Sequence, residues 1–545
     1  MKKVFKPFII IAFILGFVTT NGQQLDEAEH PSADTAIRLM PNEFWWGGAV
    51  TFGDKMQKNK EKFSFNLNGD VSLNQSVPLL ISNEGRWLWS EEPFRYSFRN
   101  DSLVIDKTNS KVLFGKNGSS LRSAYQNAAK QFFPTSGKWP DSLLITAPQY
   151  NLWIELMYNP NQQDVLGYAQ KVLANGFPAG VLMIDDNWSN YYGEFDFNKE
   201  EFPDAKKLMD QLHAMSFKTM LWICPFISPD SEVFRELSAK KLLLLDNEGN
   251  QNLAWNKAKK PLLIEWWNGY SACLDLTNPA AQQWLKNKLD ALQKKYGVDG
   301  FKLDAGDAHF YDSPKLVSYK KVAATDHSKA WGEVGINYPL NEYRAMWKMA
   351  GQPLVQRLTD KDHSWAALQL LIPHSIAQQL AGYTFTCPDM IGGGQFISFL
   401  PGMAIDQKLI VRSAQVHALM PMMQFSVAPW RILDSIHFNA VKKAVEIRQQ
   451  YLTSLMQVMQ VAAQTGEPAL RPLEYNFPHQ GFIKIKDQFM LGENLMVAPM
   501  LTKENARMVV FPKGKWKYKN QIIIGPVTKT FTVPLDELLV FEKMK

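Results

Sequence analysis

The chain has 545 residues, of which 46% are hydrophobic and 21% are charged. This length exceeds what one hydrophobic core serves, so we expect about two to four domains, and the composition is that of ordinary soluble globular proteins. The formal net charge of +6 is mild for this length and no long basic run occurs. Nucleic acid and membrane surfaces are therefore excluded as expected partners.

The amino terminus has the pattern of an export signal. Three lysines within the first six residues precede an apolar run from Phe8 to Val18, and small residues follow before Gln23. The apolar run is shorter than the ~20 residues that a transmembrane helix needs. We therefore expect residues 1–22 to be a cleaved signal peptide, the mature protein to be periplasmic or secreted, and no membrane association after cleavage.

Residues 23–144 have a β-like pattern that predicts an N-terminal β-sandwich domain. Short alternating runs such as Lys62–Leu67 end at turn residues such as Asn68-Gly69-Asp70. Alternation with frequent turns is typical of antiparallel sheets.

Residues 145–466 alternate between strand-like runs and helix-like runs, which is typical of βα units. The helix candidates are Asp164–Asn175, Asp204–Met215 and Pro279–Lys295. The strand candidates are Asn151–Leu156, Gly180–Ile184, Thr219–Cys224, Leu242–Leu245, Val298–Leu303 and Tyr383–Cys387. This order predicts an α/β fold, a (β/α)8 TIM barrel with long insertions, with a doubly wound sheet as the alternative. Residues 467–545 return to short β runs and are predicted to form a C-terminal β domain.

The strand near residue 300 ends on Asp304, which is followed at once by Ala-Gly. A carboxylate at the tip of a barrel strand faces the open end, where barrel enzymes carry out their chemistry. Lys302 lies two residues earlier, on the same strand face, and its charge favours an ionised Asp304. Asp304 is therefore our candidate for a nucleophile that attacks a glycosidic carbon, and the alternative is a cap for the next helix.

A second carboxylate is expected between Thr359 and Trp365. Asp360 and Asp362 both occur there, and either, like Thr359 or Ser364, could cap the helix that begins near Trp365. One of the two aspartates, in a half-buried position, would be the general acid of a glycosidase. The spacing does not choose between them.

Another predicted strand ends on Asp185 and Asp186. Adjacent strand residues point to opposite faces, so one acid is expected to face the pocket and the other to be structural. Asp185, Asp304 and Asp389, each near a strand end, could alternatively bind a divalent metal. The nine histidines show no ligand-like spacing, and Cys224, Cys273 and Cys387 are expected to be buried free thiols, so no metal or other cofactor is predicted.

Three tryptophans are candidates for contact with sugar rings. Trp266 and Trp267 occur in a loop, and we expect one to be exposed as a sugar platform and the other to be buried. Trp222 lies inside a predicted strand, where a tryptophan is more often part of the core, and it is retained as a further candidate.

With these motifs in place, the sequence resembles glycoside hydrolase family 31 over most of its length. The strand that ends on Asp304 is similar to the nucleophile strand of the family. Asp360 lies five residues before Trp365, which matches the acid/base spacing and favours Asp360 over Asp362. Arg344 stands where the family has a sugar-binding arginine. The resemblance implies the domain order predicted above and a double-displacement mechanism.

Longer strings are similar to one branch of the family, which contains the myogenesis-regulating glycosidase and bacterial α-galactosidases. The strings are Tyr192–Phe197, Trp266–Gly269, Cys387–Gly393 and Met423–Trp430. Asn187 departs from the family pattern, where many members have an acid, and Asp307 stands where this branch more often has Glu. The segment near Ser426 lacks the histidine that α-glucosidases use.

The expected function is that of a retaining, exo-acting α-galactosidase that needs no cofactor and acts on an oligosaccharide or glycoside. The alternatives are an α-glucosidase or α-xylosidase of the same family, or a non-catalytic carbohydrate-binding protein. The sequence gives no prediction of the oligomeric state. The expected substrate-binding residues are Asp185, Asp186, Trp222, Trp267, Lys302, Arg344 and Asp389.

Overall fold

The computed structural model describes residues 35–55, 63–69, 72–106, 111–247 and 260–544. The predicted signal peptide lies outside these ranges. No helix within them combines the length and the apolar character that crossing a bilayer requires.

The N-terminal region consists of short antiparallel strands that form a sandwich, as the sequence predicts. The strands are β1 (Thr35–Arg38), β2 (Trp45–Ala49), β3 (Phe63–Asn66), β4 (Gln75–Ser82), β5 (Arg86–Ser90), β6 (Arg95–Arg99), β7 (Ser102–Ile105) and β8 (Val112–Lys116). One sheet has the order β1-β7-β6-β3 and the other contains β2-β4-β5-β8. Both sheets contribute buried side chains to one apolar cluster, including Leu80, Leu88 and Phe98.

The middle region contains a parallel eight-stranded barrel. The strands of this region, in the barrel and in its insertions together, are β9 (Gln149–Asn151), β10 (Val181–Ile184), β11 (Lys218–Ile223), β12 (Phe226–Ile227), β13 (Leu245–Asp246), β14 (Lys260–Pro261), β15 (Leu263–Trp266), β16 (Gly269–Cys273), β17 (Gly300–Leu303), β18 (Leu316–Val317), β19 (Leu340–Tyr343), β20 (Met346–Trp347), β21 (Val355–Arg357), β22 (Phe385–Cys387) and β23 (Gln424–Phe425). The barrel order is β22-β21-β19-β17-β11-β10-β9-β23. The amide of Met422 donates to the carbonyl of Thr386 at 3.2 Å, which brings the two ends of the sheet together. The predicted (β/α)8 fold is confirmed.

Helices surround the barrel, and the three predicted helices have nearly the predicted boundaries. They are α1 (Leu121–Phe132), α2 (Leu143–Thr146), α3 (Trp153–Leu156), α4 (Gln162–Ala174), α5 (Ala205–Ala214), α6 (Glu232–Lys240), α7 (Pro279–Tyr296), α8 (Ala324–Gly335), α9 (Trp365–Leu380), α10 (Gln407–Ala418), α11 (Pro429–Ile432), α12 (Ser435–Gln450), α13 (Leu452–Thr465) and α14 (Leu473–Asn476), with 3₁₀ turns at Val50–Lys55, Ala308–Tyr311 and Phe396–Phe399. In α7 the Asn278 side chain caps the first turn, Pro279 opens the helix, and Gly297 ends it with φ of 85°. These are the terminal signals that define a helix in sequence.

Two predicted barrel strands were wrong. Only the first residue of the run Asn151–Leu156 is in a barrel strand, because the chain turns into the short helix α3. The run Leu242–Leu245 lies in an insertion, where Leu245 pairs antiparallel with Pro261 and Val317. Both runs are rich in apolar residues that are buried or partly buried, and hydrophobicity alone does not separate a barrel strand from other buried segments.

The barrel strands β19, β21 and β23 were not predicted, because their side chains form a polar network inside the barrel. Gln424 donates to Glu342 and to Gln149, each at 2.6 Å. The Arg357 guanidinium lies 3.2 Å from Glu342. These strands are two to four residues long and carry polar residues that are fully buried. They therefore lack the apolar run by which buried parallel strands are recognised.

The N-terminal sandwich is joined directly to the barrel near its strand ends. Strand β20 pairs with β4, Met346 opposite Gln75. The Gln75 side chain donates to the carbonyls of Arg344 at 2.6 Å and Arg357 at 3.2 Å. The sandwich thus fixes the backbone just after β19 and at the end of β21.

The C-terminal region is a six-stranded antiparallel sheet. Its strands are β24 (Leu470–Arg471), β25 (Phe489–Leu491), β26 (Leu495–Ala498), β27 (Ala506–Tyr518), β28 (Gln521–Thr532) and β29 (Leu539–Met544). Their order is β24-β25-β26-β29-β27-β28, over a separate apolar cluster that includes Phe511, Trp516 and Phe541. The predicted C-terminal β domain is confirmed, whereas the domain boundaries at residues 144 and 466 stay predictions.

The close approach of β17 to β19 gives a test of the barrel. A Cβ at Gly300 would overlap the carbonyl oxygen of Leu340, whereas a Cβ at Gly167, in the middle of α4, would meet nothing within 4 Å. We expect Gly300→Ala to lower the thermal unfolding midpoint, since overpacking costs about 1–3 kcal/mol. Gly167→Ala should leave it unchanged or raise it, since Ala is favoured over Gly in a helix by about 0.5–1 kcal/mol. Equal midpoints for both variants, measured by differential scanning calorimetry, would contradict the packing of these strands.

Candidate active site

Asp304 lies directly after β17, at the carboxyl end of the barrel. The next two residues, Ala305 and Gly306, have φ of 57° and 74°, so the chain turns sharply away from the strand axis. A Cβ at Gly306 would overlap the Trp331 ring, which explains the glycine at this turn. The turn leaves the Asp304 carboxylate at the floor of an open cavity, as the strand-tip argument predicts.

Four groups contact the buried Asp304 carboxylate. Its Oδ1 accepts hydrogen bonds from Arg344 Nε and from the Ala305 amide, each at 2.9 Å. Its Oδ2 accepts from Trp222 Nε1 at 2.9 Å, and Lys302 Nζ lies 3.8 Å away. Both oxygens therefore have donors on the protein side, and the cations neutralise the buried charge.

These contacts decide the charge of Asp304. Burial by itself would raise the pKa of this carboxyl, but the charges of Arg344 and Lys302 act in the opposite direction and outweigh it. The pKa of Asp304 therefore lies far below its ordinary value, and the group is an anion at neutral pH. An ionised carboxylate is the form that a nucleophile requires.

Arg344 links Asp304 to three other residues. Its Nη2 donates to Asp307 at 2.7 Å, and its Nη1 donates to the carbonyl of Leu73, in the N-terminal region, at 3.2 Å. Its guanidinium carbon lies 5.2 Å from the centre of the Trp267 ring. A planar guanidinium group with this many partners is held in one orientation. The position of the Arg344 side chain in the site is therefore fixed.

Asp360 lies in the loop after β21, on the same cavity. Its Oδ1 accepts from Arg357 Nη1 at 2.5 Å, and 30% of its side chain is exposed. The amide of Thr359 donates to Asn74 Oδ1 at 3.0 Å, which ties this loop to the N-terminal region. Ser364, not an aspartate, caps α9, so neither Asp360 nor Asp362 has the helix-cap role that the sequence left open.

Asp389 lies behind Asp360 and does not line the cavity. Its carboxylate is fully buried, accepts from the Lys361 amide at 2.9 Å and lies 3.3 Å from Arg357 Nη1. Burial, with the nearby charge of Asp360, raises the pKa of Asp389 to about 7. Through its contacts with Arg357 and with the Lys361 amide, Asp389 therefore helps to hold the Arg357–Asp360 pair in place.

Asp185 and Asp186 follow β10, and both line the cavity, where strand alternation predicted one. Both residues lie beyond the last strand residue, Ile184, so the alternation no longer applies. Asp185 Oδ2 accepts from Lys302 Nζ at 2.6 Å. Asp186 Oδ2 accepts from Asn268 at 2.8 Å and from the Tyr192 hydroxyl at 3.3 Å. Lys302 is thus closer to Asp185 than to Asp304.

The two adjacent tryptophans divide as the sequence predicts. Trp266 is buried, whereas Trp267 is 48% exposed at the turn between β15 and β16. Trp222 is buried but still borders the cavity beneath Asp304. The wall of the cavity thus contains both aromatic and charged side chains.

The cavity has a volume of about 670 Å³. Eight of the nine predicted site residues line it, all except Asp389. Lining residues that were not predicted come from distant segments: Leu73, Trp153, Tyr158, Glu265, His309, Phe310, Thr359, Gln395 and Phe396. The chain contains 17 Trp, 17 Tyr and 33 Phe, and this aromatic content was the only signal for Trp153, Tyr158, Phe310 and Phe396, without indicating their positions.

A metal site is not formed by these acids. Asp185, Asp304 and Asp389 do not assemble into a group that could hold a metal ion, and no such group of His, Cys, Asp and Glu occurs elsewhere in the described ranges. The oxygens of Asp185 and Asp304 instead face Lys302. Cys224, Cys273 and Cys387 are buried free thiols, as predicted.

Comparison with known families agrees with this architecture. Residues 148–458 match the description "Glycosyl hydrolases family 31 TIM-barrel domain", and residues 466–544 match "Glycosyl hydrolase family 31 C-terminal domain". Together these ranges cover well over half of the chain. The chain belongs to glycosyl hydrolase family 31.

Individual relatives differ in their named activities. The myogenesis-regulating glycosidase of Mus musculus is 30% identical over 438 residues, which cover 78% of this chain and 60% of that protein. The α-xylosidase XylQ of Lactiplantibacillus pentosus is 24% identical over 557 residues, which cover 91% and 68%. A family 31 dextranase of Flavobacterium johnsoniae, solved in complex with glucose, shares the fold with a TM-score of 0.80 at 18% identity, covering 94% of this chain and 66% of that one. This chain thus spans about three fifths of the length of the mouse protein.

The buried acid pair gives a pH-dependent stability prediction. Burial, and then the charge of Asp185, raise the pKa of Asp186 to about 7. Because the folded state then holds this proton more tightly than the unfolded state, stability falls as pH rises through the interval between the two pKa values. Asp186→Asn removes this ionisation. Its thermal midpoint should therefore exceed that of the wild type at about pH 8, and by clearly less near pH 5, where only part of the interval has been crossed. A difference that is the same at both pH values would show that Asp186 does not titrate in this range.

Proposed function

We propose that this protein is a retaining, exo-acting α-galactosidase that releases terminal α-linked galactose from a glycoside or oligosaccharide. The observation that carries the proposal is the contrast between two carboxylates on one cavity. Asp304 is buried among cations that hold its pKa far below the ordinary value, whereas Asp360 is partly exposed and hydrogen-bonded to one arginine. A retaining glycosidase needs one carboxylate as nucleophile and one as proton donor.

In the first step Asp304 attacks the anomeric carbon of the bound sugar. The glycosidic bond breaks as the ester bond to Asp304 forms, and protonated Asp360 gives its proton to the leaving oxygen. Arg344 and the Trp222 N–H hold the Asp304 oxygens in place while the charge on the carboxylate falls. The aglycone leaves with the proton from Asp360.

In the second step water takes the place of the aglycone. Asp360, now ionised, removes a proton from the water as its oxygen attacks the anomeric carbon, and the ester bond to Asp304 breaks. Two inversions at one carbon give net retention. In this scheme Asp185, Asp186, Lys302 and Arg344 bind sugar hydroxyls, Trp222 and Trp267 contact the ring, and Asp389 acts through Arg357.

Support for galactose comes from the strings shared with the α-galactosidase branch, among them Trp266–Gly269. The absence of a histidine beside Ser426 separates the chain from the α-glucosidase pattern. An α-glucosidase or α-xylosidase activity is the alternative, since relatives of this chain include a protein named α-xylosidase and a dextranase solved with glucose. A non-catalytic sugar-binding protein is a third possibility, which the presence of both carboxylates disfavours. For the cellular location we propose export, on the basis of the amino-terminal pattern.

The proposal is tested with a panel of 4-nitrophenyl α-galactoside, α-glucoside and α-xyloside. We expect kcat/KM for the galactoside to exceed the others by at least about 100-fold, since a site built to hydrogen-bond one hydroxyl arrangement strongly rejects another. Proton NMR of the early product should show the α-anomer before mutarotation. A β-anomer would overturn the retaining mechanism, and a preference for glucose or xylose would overturn the assigned sugar.

Asp304→Ala serves as the matched control in this panel. It removes the proposed nucleophile while Asp360 and the rest of the cavity stay in place, so hydrolysis should fall by several orders of magnitude. Unchanged hydrolysis with this variant would exclude Asp304 from the reaction.

A further inference from the structure

Asn268 lies at the turn of the β15–β16 hairpin and uses its whole side-chain amide in hydrogen bonds. Its Nδ2 donates to Asp186 Oδ2 and to the Tyr192 hydroxyl, both at 2.8 Å, and its Oδ1 accepts from the Tyr158 hydroxyl at 2.9 Å. This orientation of the amide is the one that a carboxylate requires, because an ionised carboxylate only accepts. Asn268 therefore fixes the Asp186 carboxylate from a different segment of the chain.

The two oxygens of Asp186 have different surroundings. Oδ2 accepts two hydrogen bonds, from Asn268 and from Tyr192. Oδ1 is buried and has no partner of good geometry among the described residues, although the Asn187 amide is close enough to favour the charged form. The residue is only 2% exposed and borders the cavity. A buried acceptor without a donor is costly, and Oδ1 is the oxygen of Asp186 that still lacks a donor.

We propose that Asn268 is a positioning residue which orients the Asp186 carboxylate so that Oδ1 receives a hydrogen bond from one hydroxyl of the bound sugar. This inference rests on the proposed function, that the cavity binds a terminal sugar. Beyond the proposed function, it specifies which oxygen of Asp186 contacts the substrate and which residue sets the orientation of that carboxylate.

The same hairpin turn also reaches the opposite wall of the cavity. Trp267, the neighbour of Asn268, lies against the Arg344 guanidinium, and Arg344 holds Asp304. One two-residue turn thus contacts the Asp186 side and the Asp304 side. A sugar hydroxyl bound at Asp186 is therefore held in a fixed relation to the carboxylate that is proposed to attack the anomeric carbon.

The charge of Asp186 depends on the groups around it. Asp185 opposes its ionisation, whereas the hydrogen bonds from Asn268 and Tyr192 favour it. Tyr158 and Cys224 also interact electrostatically with it, and both remain neutral at ordinary pH because burial raises their pKa values. Removal of the Asn268 amide takes away a donor to the ionised form, so the pKa of Asp186 should rise further.

The test uses Asn268→Ala and a series of aryl α-galactosides that each lack one hydroxyl. For the wild type we expect that removal of the hydroxyl at one position of the sugar reduces kcat/KM by about 10- to 100-fold relative to the complete galactoside. This is the size of effect expected when a hydrogen bond to a charged group is lost. In the Asn268→Ala variant, removal of that hydroxyl should reduce kcat/KM only a few-fold. The reductions in kcat/KM at the other deoxy positions should be the same as in the wild type. The acidic limb of the pH profile of kcat/KM should move upward by about one pH unit.

Two further variants separate positioning from folding. Leu263→Thr changes an exposed side chain on the same hairpin, away from the cavity, and should leave the series and the pH profile unchanged. Asn268→Asp keeps the shape but adds a third carboxylate beside Asp185 and Asp186. It should lose more activity at neutral pH than Asn268→Ala, at an unchanged circular dichroism spectrum.

The outcome that overturns the inference is an Asn268→Ala enzyme with the wild-type loss at every deoxy position and an unmoved pH profile. If the wild type cleaves a different α-glycoside, the galactose assignment fails, and the deoxy series of that glycoside tests Asn268 in the same way. If the wild type cleaves no α-glycoside, the affinities of the wild type and of Asn268→Ala for methyl deoxyglycosides are measured by calorimetry instead of the rates. Absence of any sugar binding then overturns both proposals.

Discussion

The structure of the site depends on the burial of one negative charge at the tip of a barrel strand. A lone carboxylate in this position would take up a proton, since desolvation penalises the charged form. Asp304 stays ionised because Arg344 and Lys302 stand beside it and because the Trp222 N–H and the Ala305 amide point at its oxygens. Each of these groups must itself be held in place by its own contacts with the surrounding residues.

Arg344 and Lys302 are held by other acids and by distant segments. Lys302 is shared with Asp185, and Arg344 is shared with Asp307 and with the carbonyl of Leu73. The N-terminal sandwich therefore takes part in the site, through Leu73 and through Gln75, which hydrogen-bonds the backbone just after β19 and at the end of β21. Among the described residues no cation pairs with Asp186, and burial together with the charge of Asp185 raises its pKa. Such a cost is common where a site is built for function rather than stability.

The sequence predicted those features that have local signals. Asn278, Pro279 and Gly297 defined a helix, and an apolar run that ends on Asp304 defined the strand that carries the proposed nucleophile. The helix caps resolved by the structure, such as Ser364, could not be chosen from sequence because four polar residues there were equally suitable. Strands β19, β21 and β23 were missed because their inward residues, among them Glu342 and Gln424, belong to a polar barrel interior. The cavity walls from Leu73 and Phe396 depend on tertiary contacts across the chain, which no local pattern encodes.

The central claim is that Asp304 and Asp360 act on one bond from opposite sides, one as nucleophile and one as acid/base. Azide rescue of two variants tests it most directly, because small anions occupy the space that a deleted carboxylate leaves. With a 2,4-dinitrophenyl glycoside of the preferred sugar, Asp304→Gly plus azide should form the β-glycosyl azide, since azide replaces the nucleophile. Asp360→Ala plus azide should form the α-glycosyl azide, since azide replaces water at the glycosyl-enzyme ester. The same anomer from both variants, or no azide product from either at retained folding, would contradict the assigned roles.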